Sequence, residues 1–171
     1  LYRNASVLGD SKDKKICPEF ISIREEPHLK RGFSSCYFDA EGVETVPRCI
    51  VENGMLKGYL LSSYSARRLG LDTTGNAGGH HNLIVEPTAD ENLESMIKNI
   101  DSGILVTGSF GYGVNIVNGD NSRGANGFWI ENGEIDYTVS EVTVADNLKD
   151  MLMRINTIVS YRAKNRLNFM C

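Results

Sequence analysis

The sequence predicts an α+β domain with a largely antiparallel β-sheet, barrel- or sandwich-like, and two amphipathic helices. Two Asn-Gly pairs between strand-like runs carry the sheet prediction, because both residues tolerate the positive φ of the type I′ turns that join antiparallel strands. Two segments with apolar residues at helical spacing carry the helix prediction. A chain of 171 residues is long enough for one domain with its own core.

The predicted strands extend outward from the two turns, Asn53-Gly54 and Asn132-Gly133. The hairpin strands are 48–51 with 55–61, and 127–130 with 134–139 extended by 142–144. The other predicted strands are 19–24, 34–39, 82–86, 104–107 and 114–117.

The first predicted amphipathic helix covers 88–100. Its apolar residues recur at positions i, i+3, i+4 and i+7 counted from Leu93. Thr88 followed by Glu91 predicts a capping box at its start, and Gly103 ends the run.

The second amphipathic helix is predicted to start near Asn147 and to keep one apolar face as far as Val159. A further short helix is predicted over 62–69. Glycine-rich stretches between the elements are expected either to line a binding cleft or only to turn the chain. These stretches are 70–79, 108–113 and 118–127.

Charge is distributed unevenly along the chain. The net charge is −4, and because 152–171 carries +4, the remaining 151 residues carry −8. An acidic body argues against a nucleic-acid partner held through phosphate neutralisation. Apolar stretches all fall short of the ~18–20 residues of a membrane span, so no membrane partner is expected. The basic end is interpreted as solvated.

The four cysteines are too sparse for a secreted disulfide scaffold and form no C-x-x-C pair. They are Cys17, Cys36, Cys49 and Cys171. Free, structural thiols in a reducing cytoplasm are the simplest interpretation. A nucleophilic cysteine would need a histidine close in space, which the sequence spacing leaves open.

Known catalytic and phosphate-binding motifs do not match. The histidines are His28, His80 and His81, so H-E-x-x-H is absent, and the adjacent pair points in different directions in an extended segment. One of that pair could still join a metal site completed elsewhere. The glycines of 108–113 join two strands, whereas a dinucleotide loop joins a strand to a helix. The residues alone therefore contain no self-contained catalytic constellation.

Several multi-residue segments share the order and spacing of one known family. Among them are Arg24-Glu-Glu-Pro27, Thr74-Gly-Asn-Ala-Gly78 and the run 127–135. The others are 38–42, 53–54, 58–60, 64–67, 82–83, 119–123 and 147–150. Together they resemble the C-terminal domain of the TldD/PmbA family, in its PmbA/TldE branch.

The resemblance implies a cytoplasmic protein, of the kind once called modulator of DNA gyrase, in a metal-dependent protease that acts on peptides. Its partner is expected to be a TldD-like catalytic subunit, or a second copy in a dimer. Zinc is expected in the TldD-type partner, on an H-E-x-x-x-H motif. This chain lacks that motif. No catalytic residue, metal ligand or cofactor is therefore expected in it, and whether it counts as an enzyme stays open.

Two departures from the family pattern shape the expected domain boundaries. Asp146 stands where the family has glycine, and after about Val159 the family's apolar segment is replaced by a basic sequence. An incomplete PmbA/TldD-like C-terminal domain is expected over 1–159, with a divergent basic tail over 160–171. Such a domain is expected to expose a strand edge and apolar surface.

The predicted function is that of a non-catalytic fragment that contributes substrate-cleft and subunit-interface surface. Candidate contact residues are Thr74, Gly75, Asn76, Gly78, Asp120, Ser122 and Arg123. One alternative is a stand-alone interaction or structural module, or a non-functional relic, with no protease role. Another is an independent hydrolase that uses His80 or His81 with a metal.

Overall fold

The computed structural model describes residue 1, residue 3 and residues 5–88 and 92–159. The chain forms two compact units. The first unit comprises Leu1–Glu86, Tyr112–Arg123 and Val144–Asn156. The second comprises Pro87–Gly111, Gly124–Thr143 and, at the C-terminal end, the described residues 157–159.

A four-stranded antiparallel sheet forms the centre of the first unit. Its strands are β1 (Ile23–Glu25), β2 (Arg48–Glu52), β3 (Met55–Leu56) and β4 (Leu83–Val85). They lie in the order β3-β2-β1-β4, with every neighbouring pair antiparallel. The register places Glu25 of β1 opposite Arg48 on one side and Leu83 on the other.

The predicted hairpin at Asn53-Gly54 joins β2 to β3. Asn53 has φ 48° and Gly54 has φ 76°, the left-handed pair that a type I′ turn requires. Gly54 is also packed tightly, because a Cβ at this position would lie 2.4 Å from the carbonyl oxygen of Cys17. The hairpin prediction is confirmed, but its second strand, predicted over 55–61, ends at Leu56.

The short helix predicted over 62–69 is α1 (Ser63–Leu69). Ser62 is its N-cap and accepts a hydrogen bond from the backbone N–H of Ser65 at 3.2 Å. Gly70 ends the helix in the left-handed conformation, with φ 66°. The chain then enters the loop that leads to β4.

A three-stranded sheet in the order β5-β6-β7 is formed by β5 (Ser102–Phe110), β6 (Asp120–Glu131) and β7 (Glu134–Asn147). The second predicted hairpin is confirmed, since Asn132 at φ 49° and Gly133 at φ 78° join β6 to β7. The predicted extension through 142–144 is confirmed as part of β7. In the described part of the chain neither sheet closes into a barrel.

The first amphipathic helix is shorter than predicted. It is α2 (Leu93–Lys98), and its capping box is formed by Asn92 and Ser95. Thr88, the predicted cap, instead exchanges hydrogen bonds with the backbone of Ile158, donating its N–H at 2.8 Å and accepting at 2.9 Å. Its predicted partner Glu91 lies outside the described residues.

The second amphipathic helix, α3 (Leu148–Met153), starts where it was predicted to start. Asn147 is its N-cap and accepts from the N–H of Lys149 at 3.1 Å. The prediction that the helix continues to Val159 is wrong, because the backbone leaves the helix at Arg154. Apolar spacing alone therefore overestimated the lengths of both amphipathic helices.

Two predicted strands reduce to single bridges. Of 34–39 only Phe38 is bridged, to Glu44, and of 114–117 only Val114 is bridged, to Asn121. The strand predicted at 19–24 begins later and is β1. Strands predicted at 82–86 and 104–107 are confirmed as β4 and β5.

The stretch 118–127, predicted as a glycine-rich connection, is mostly strand, since β6 begins at Asp120. Its glycines permit close approach of the neighbouring strand. A Cβ on Gly127 would lie 2.0 Å from the carbonyl oxygen of Leu105. These glycines are thus explained by packing within the sheet.

Both units bury apolar side chains. Among the described residues, the first unit buries Cys17, Ile21, Val51, Leu56, Leu61 and Ala66, and the second buries Ile97, Ala125 and Ile130. Among the described helices, none is long and apolar enough to cross a membrane.

Candidate functional site

A buried carboxylate lies at the centre of the first unit. Glu25 ends β1 and is 1% exposed. Its Oε2 accepts from Nε of Arg48 at 2.8 Å, and its Oε1 accepts from Nδ2 of Asn76 at 2.7 Å and from the backbone N–H of His81 at 2.8 Å. Three donors therefore compensate the charge that β1 carries into the core.

Arg48, directly across the sheet, joins the carboxylate to two further segments. Its Nη1 donates to the carbonyl of Tyr59 at 3.1 Å, and its Nη2 donates to Oδ1 of Asn76. The guanidinium thus bridges β1, the chain after β3 and the loop after α1. Because its side chain is 18% exposed, this ion pair is largely shielded from water.

Two buried carboxylates in this region stay ionised against the cost of burial. Burial raises the pKa of Glu25, but the donors from His81, Arg48 and Asn76 and the charge of Arg48 outweigh it and leave that pKa below its usual value. Burial likewise raises the pKa of Asp39. Hydrogen bonds from three backbone N–H groups, together with the positive charge that His81 carries when it is protonated, leave the pKa of Asp39 lowered.

The loop after α1 reaches this network through its own turn chemistry. The Thr74 hydroxyl accepts from the N–H of Leu61 at 2.6 Å and lies 2.8 Å from Oδ1 of Asn76. Gly75 has φ 67°, and a Cβ there would lie 2.7 Å from the carbonyl oxygen of Glu44. Only glycine fits at this position without a backbone shift, because the loop passes so close to the Glu44 carbonyl.

The first predicted contact group therefore lies mostly inside the fold. Asn76 is 6% exposed, with both its side-chain amide atoms bonded to Glu25, Arg48 and the carbonyl of Gly79. Gly78 is exposed at the surface of the same loop, with φ 97°. The contact role predicted for this group stays a prediction, and Asn76 has a structural role in addition.

The second predicted contact group forms the turn into β6. The carboxylate of Asp120 accepts from Nδ2 of Asn118 at 2.6 Å and from Nδ2 of Asn147 at 3.2 Å. The N–H of Ser122 donates to the carbonyl of Gly113 at 2.9 Å. Arg123 has a buried Nε that finds no hydrogen-bond partner among the described residues.

The hydrogen bonds of the described residues bring Thr74, Gly75 and Asn76 together but do not join them to the second group. Asp120 is linked to the N-cap of α3, while Ser122 faces the Gly113 loop. The two groups are thus separate features of the first unit. Their predicted contact roles remain untested.

A thiol–imidazole pair lies beside the Glu25 network. Sγ of Cys36 is 3.3 Å from Nδ1 of His81, and Nε2 of His81 is 3.0 Å from the carbonyl oxygen of Gly75. His81 is 8% exposed, whereas His80 is exposed, as expected for neighbours that point in different directions.

The donor set in the described part does not fit a zinc ion. Cys36 and His81 are the paired thiol and imidazole, and Asp39 is occupied by backbone N–H donors. In the ranges 5–88 and 92–159, with residues 1 and 3, no three His, Cys, Asp or Glu side chains lie close enough to hold a metal ion.

The predicted contact residues did not include four residues of this region: Glu25, Arg48, His81 and Cys36. A signal existed for Glu25, because Arg24-Glu-Glu-Pro27 is one of the family-like segments. The pairing of Cys36 with His81 spans 45 positions, so only the fold brings the two side chains together.

Comparison with protein families gives one match over nearly the whole chain. Residues 1–168 match the model described as the PmbA/TldA metallopeptidase C-terminal domain. The chain is 52% identical over 152 residues to the Metalloprotease PmbA homolog of Haemophilus influenzae, covering 89% of this chain and 34% of the relative. It is 49% identical over 173 residues to Metalloprotease PmbA of Escherichia coli, covering 100% of this chain and 38% of that relative.

Solved structures agree with this assignment. A putative modulator of DNA gyrase from Bacteroides thetaiotaomicron superimposes with a TM-score of 0.83 at 36% identity, covering 88% of this chain and 34% of that one. TldE from Thermococcus kodakarensis gives a TM-score of 0.76 at 28% identity, covering 90% and 39%. The chain spans little more than a third of the length of the relatives it matches. From its sequence and its fold alike, the chain belongs to the PmbA/TldD metallopeptidase family, within that family's C-terminal domain.

Proposed function

We propose that the chain is part of a PmbA/TldE-like subunit that does no chemistry itself and supplies interface and cleft surface to a TldD–TldE-type peptidase. Family membership and the likeness to TldE support the pairing. In this proposal zinc resides in the TldD-type partner, the substrate is an extended peptide, and the complex works in the cytoplasm.

The observation that carries the proposal is the exposed edge of β5. In the described part of the chain, β5 has one strand neighbour, β6. Three of its apolar side chains are well exposed: Ile104 at 38%, Val106 at 46% and Phe110 at 48%. A nine-residue edge with apolar side chains suits the addition of an extended peptide or a partner's strand.

Backbone geometry divides this edge into two segments. The pairing of β5 with β6 shifts register between Val106 and Gly108, which locally kinks the strand. Residues 102–106 on one side of this irregularity form a regular ladder with β6. We place the docking segment there, because a regular edge offers evenly spaced backbone donors and acceptors.

The test introduces a charge into this segment. Val106→Lys in the full chain should weaken binding to a purified TldD-type subunit by about tenfold or more, because an unpaired ammonium at a covered strand edge costs well over 1.4 kcal/mol. Binding is measured by biolayer interferometry, and circular dichroism checks folding. Val46→Lys is the matched control, since Val46 is equally exposed at 49% but lies outside every strand.

A loss confined to Val106→Lys supports the proposal. Equal affinities for the wild-type chain and both variants would remove β5 from the interface. If the wild-type chain does not bind the TldD-type subunit at all, the stand-alone module becomes the better account. Sedimentation of the chain alone tests whether it also binds a second copy of itself, the other expected partner.

A further inference from the structure

We propose that Cys36 is a modification site that forms a mixed disulfide with a small anionic disulfide of the glutathione class, with His81 as the base. The site is distinct from the β5 edge and does not depend on the proposed protease role. Three features carry it: a paired thiol, an open cavity beside that thiol, and two cations at the cavity.

Hydrogen bonding fixes the tautomer of His81. The carbonyl of Gly75 can only accept, so Nε2 of His81 carries the proton and donates at 3.0 Å. In the neutral ring Nδ1 is then an acceptor, and the Cys36 thiol donates to it at 3.3 Å. A nucleophile, a base and a group that orients the base are therefore in place.

A cavity of about 300 Å³ lies beside Cys36. Cys36 lines it together with Lys30 and Arg31, and no carboxylate is among its described lining residues. Both cations are exposed, so they are free to meet a ligand. The volume is at the lower end for small-molecule pockets and suits one half of a glutathione disulfide.

The wall of the cavity is held by its own contacts. The rings of His28 and Tyr37 lie 5.2 Å apart, and Nε2 of His28 is 3.2 Å from the hydroxyl of Thr45. That hydroxyl donates to the carbonyl of Cys36 at 2.6 Å. These contacts therefore hold the backbone of Cys36 in place at the wall of the cavity. Asp39 places a negative charge near His81.

The other described thiols lack this arrangement. Cys17 is 2% exposed and its pKa is raised by burial. Cys49 donates to the carbonyl of Val51 at 3.0 Å, and burial together with the charge of Glu52 raises its pKa. Both are internal controls within the same molecule.

The exchange is balanced without another reactant. The Cys36 thiol gives its proton to Nδ1 of His81, and the sulfur attacks one sulfur of the disulfide. One bond forms between Cys36 and that sulfur, and the S–S bond of the incoming disulfide breaks. The leaving thiolate keeps the electron pair and takes the proton from His81. Cys36 is oxidised as the leaving half is reduced.

The test measures mixed-disulfide formation at each cysteine of the folded full chain by peptide mass spectrometry. Glutathione disulfide is the anionic probe, and cystamine is the cationic one. Cys36 should react with glutathione disulfide faster than Cys17 and Cys49 do, and faster than it reacts with cystamine. No preference for Cys36, or no preference for the anionic probe, overturns the proposal.

Two variants test the two cations and the base separately. Lys30→Gln with Arg31→Gln should slow glutathione disulfide by about threefold to tenfold at low salt and leave cystamine unslowed, because only the anion gains from those charges. His81→Gln should slow both probes by about tenfold or more, as expected on removing a base. Because His81 is buried, circular dichroism checks that the His81→Gln variant still folds. Unchanged rates in the exposed double variant overturn the anion assignment whether or not His81→Gln folds.

Discussion

At the scale of single residues, the hydrogen bonds of Glu25 link several segments of the first unit. Its carboxylate is buried, yet it is bonded to Arg48, Asn76 and the N–H of His81. Removal of one member would leave a charge or an amide without a partner inside the fold, which costs more than the bond itself contributes. For this reason Asn76→Ala is expected to lower stability as well as to alter any contact made by its loop.

The depressed pKa values of Glu25 and Asp39 make stability pH-dependent. A carboxyl group with a lower pKa in the folded state contributes stability that is fully present above its unfolded pKa, near 4.5 for Glu and 3.8 for Asp. That contribution is lost as the pH falls through the folded pKa. We expect the urea midpoint to fall as the pH drops from about 5 to about 3, the range in which unfolded carboxyl groups take up protons.

Glu25→Gln removes one of these two groups and should flatten the fall, although it lowers the midpoint at pH 7. Glu86→Gln is the control, because Glu86 is 66% exposed in its ion pair with Arg24. Parallel pH profiles for wild type and Glu25→Gln would contradict the assignment of this dependence to Glu25.

At the scale of elements, turns were more predictable than element lengths. Both Asn-Gly pairs form the expected hairpins, because a type I′ turn depends on two adjacent backbone conformations that the local sequence sets. The ends of α2 and the extent of β6 depend on tertiary contacts. Asn92 caps α2 while Thr88 is bonded to Ile158, seventy positions away. No local pattern encodes such a pairing.

Gly127 of β6 and Gly108 of β5 differ in how much space a side chain would have. Gly127→Ala should destabilise the chain by about 1–3 kcal/mol, because its Cβ would meet the Leu105 carbonyl oxygen at 2.0 Å. Gly108→Ala, on the paired strand, meets nothing within 4 Å and should be neutral or slightly stabilising. Chemical denaturation of both variants measures the difference. Equal effects would show that the close approach of β5 does not constrain Gly127.

At the scale of the whole molecule, the two units differ in what they bury. Among the described residues, β1 and β2 of the first unit each bury a side chain, Glu25 and Val51, whereas β5 of the second unit buries none. The second unit also leaves Ile104, Val106, Ile135 and Tyr137 between 38% and 54% exposed. Fewer buried side chains mean a lower free energy of local opening.

Native-state hydrogen exchange should therefore show earlier exchange in β5 than in β1 and β2. Peptides from 102–110 report on the second unit, and peptides from 48–52 report on the first. The comparison is made within one sample, so concentration and temperature are common to both. Simultaneous exchange of both peptides would indicate that the units open as one cooperative body.

Family and fold class follow from the sequence, whereas the candidate site follows only in part. The family-like segments include Thr74-Gly-Asn-Ala-Gly78, but sequence reasoning treated that loop as a surface. Burial of Asn76 depends on Glu25, which lies 51 positions earlier. Likewise, Cys36 gains an imidazole partner only through a contact across 45 positions. Composition and periodicity do not show which polar side chains pair across long stretches of sequence, so this feature of the site could not be predicted.

The Glu25 network also has a consequence for synthesis on the ribosome. The hairpin of β2 and β3 is local and can form as soon as its residues emerge. Strand β1 emerges earlier, but the N–H that completes its carboxylate belongs to His81, 56 positions later. Until that residue leaves the exit tunnel, Glu25 lacks this donor, and closing the loop carries an entropic cost that grows with its length. A pause in translation before residue 81 would therefore prolong a half-formed sheet.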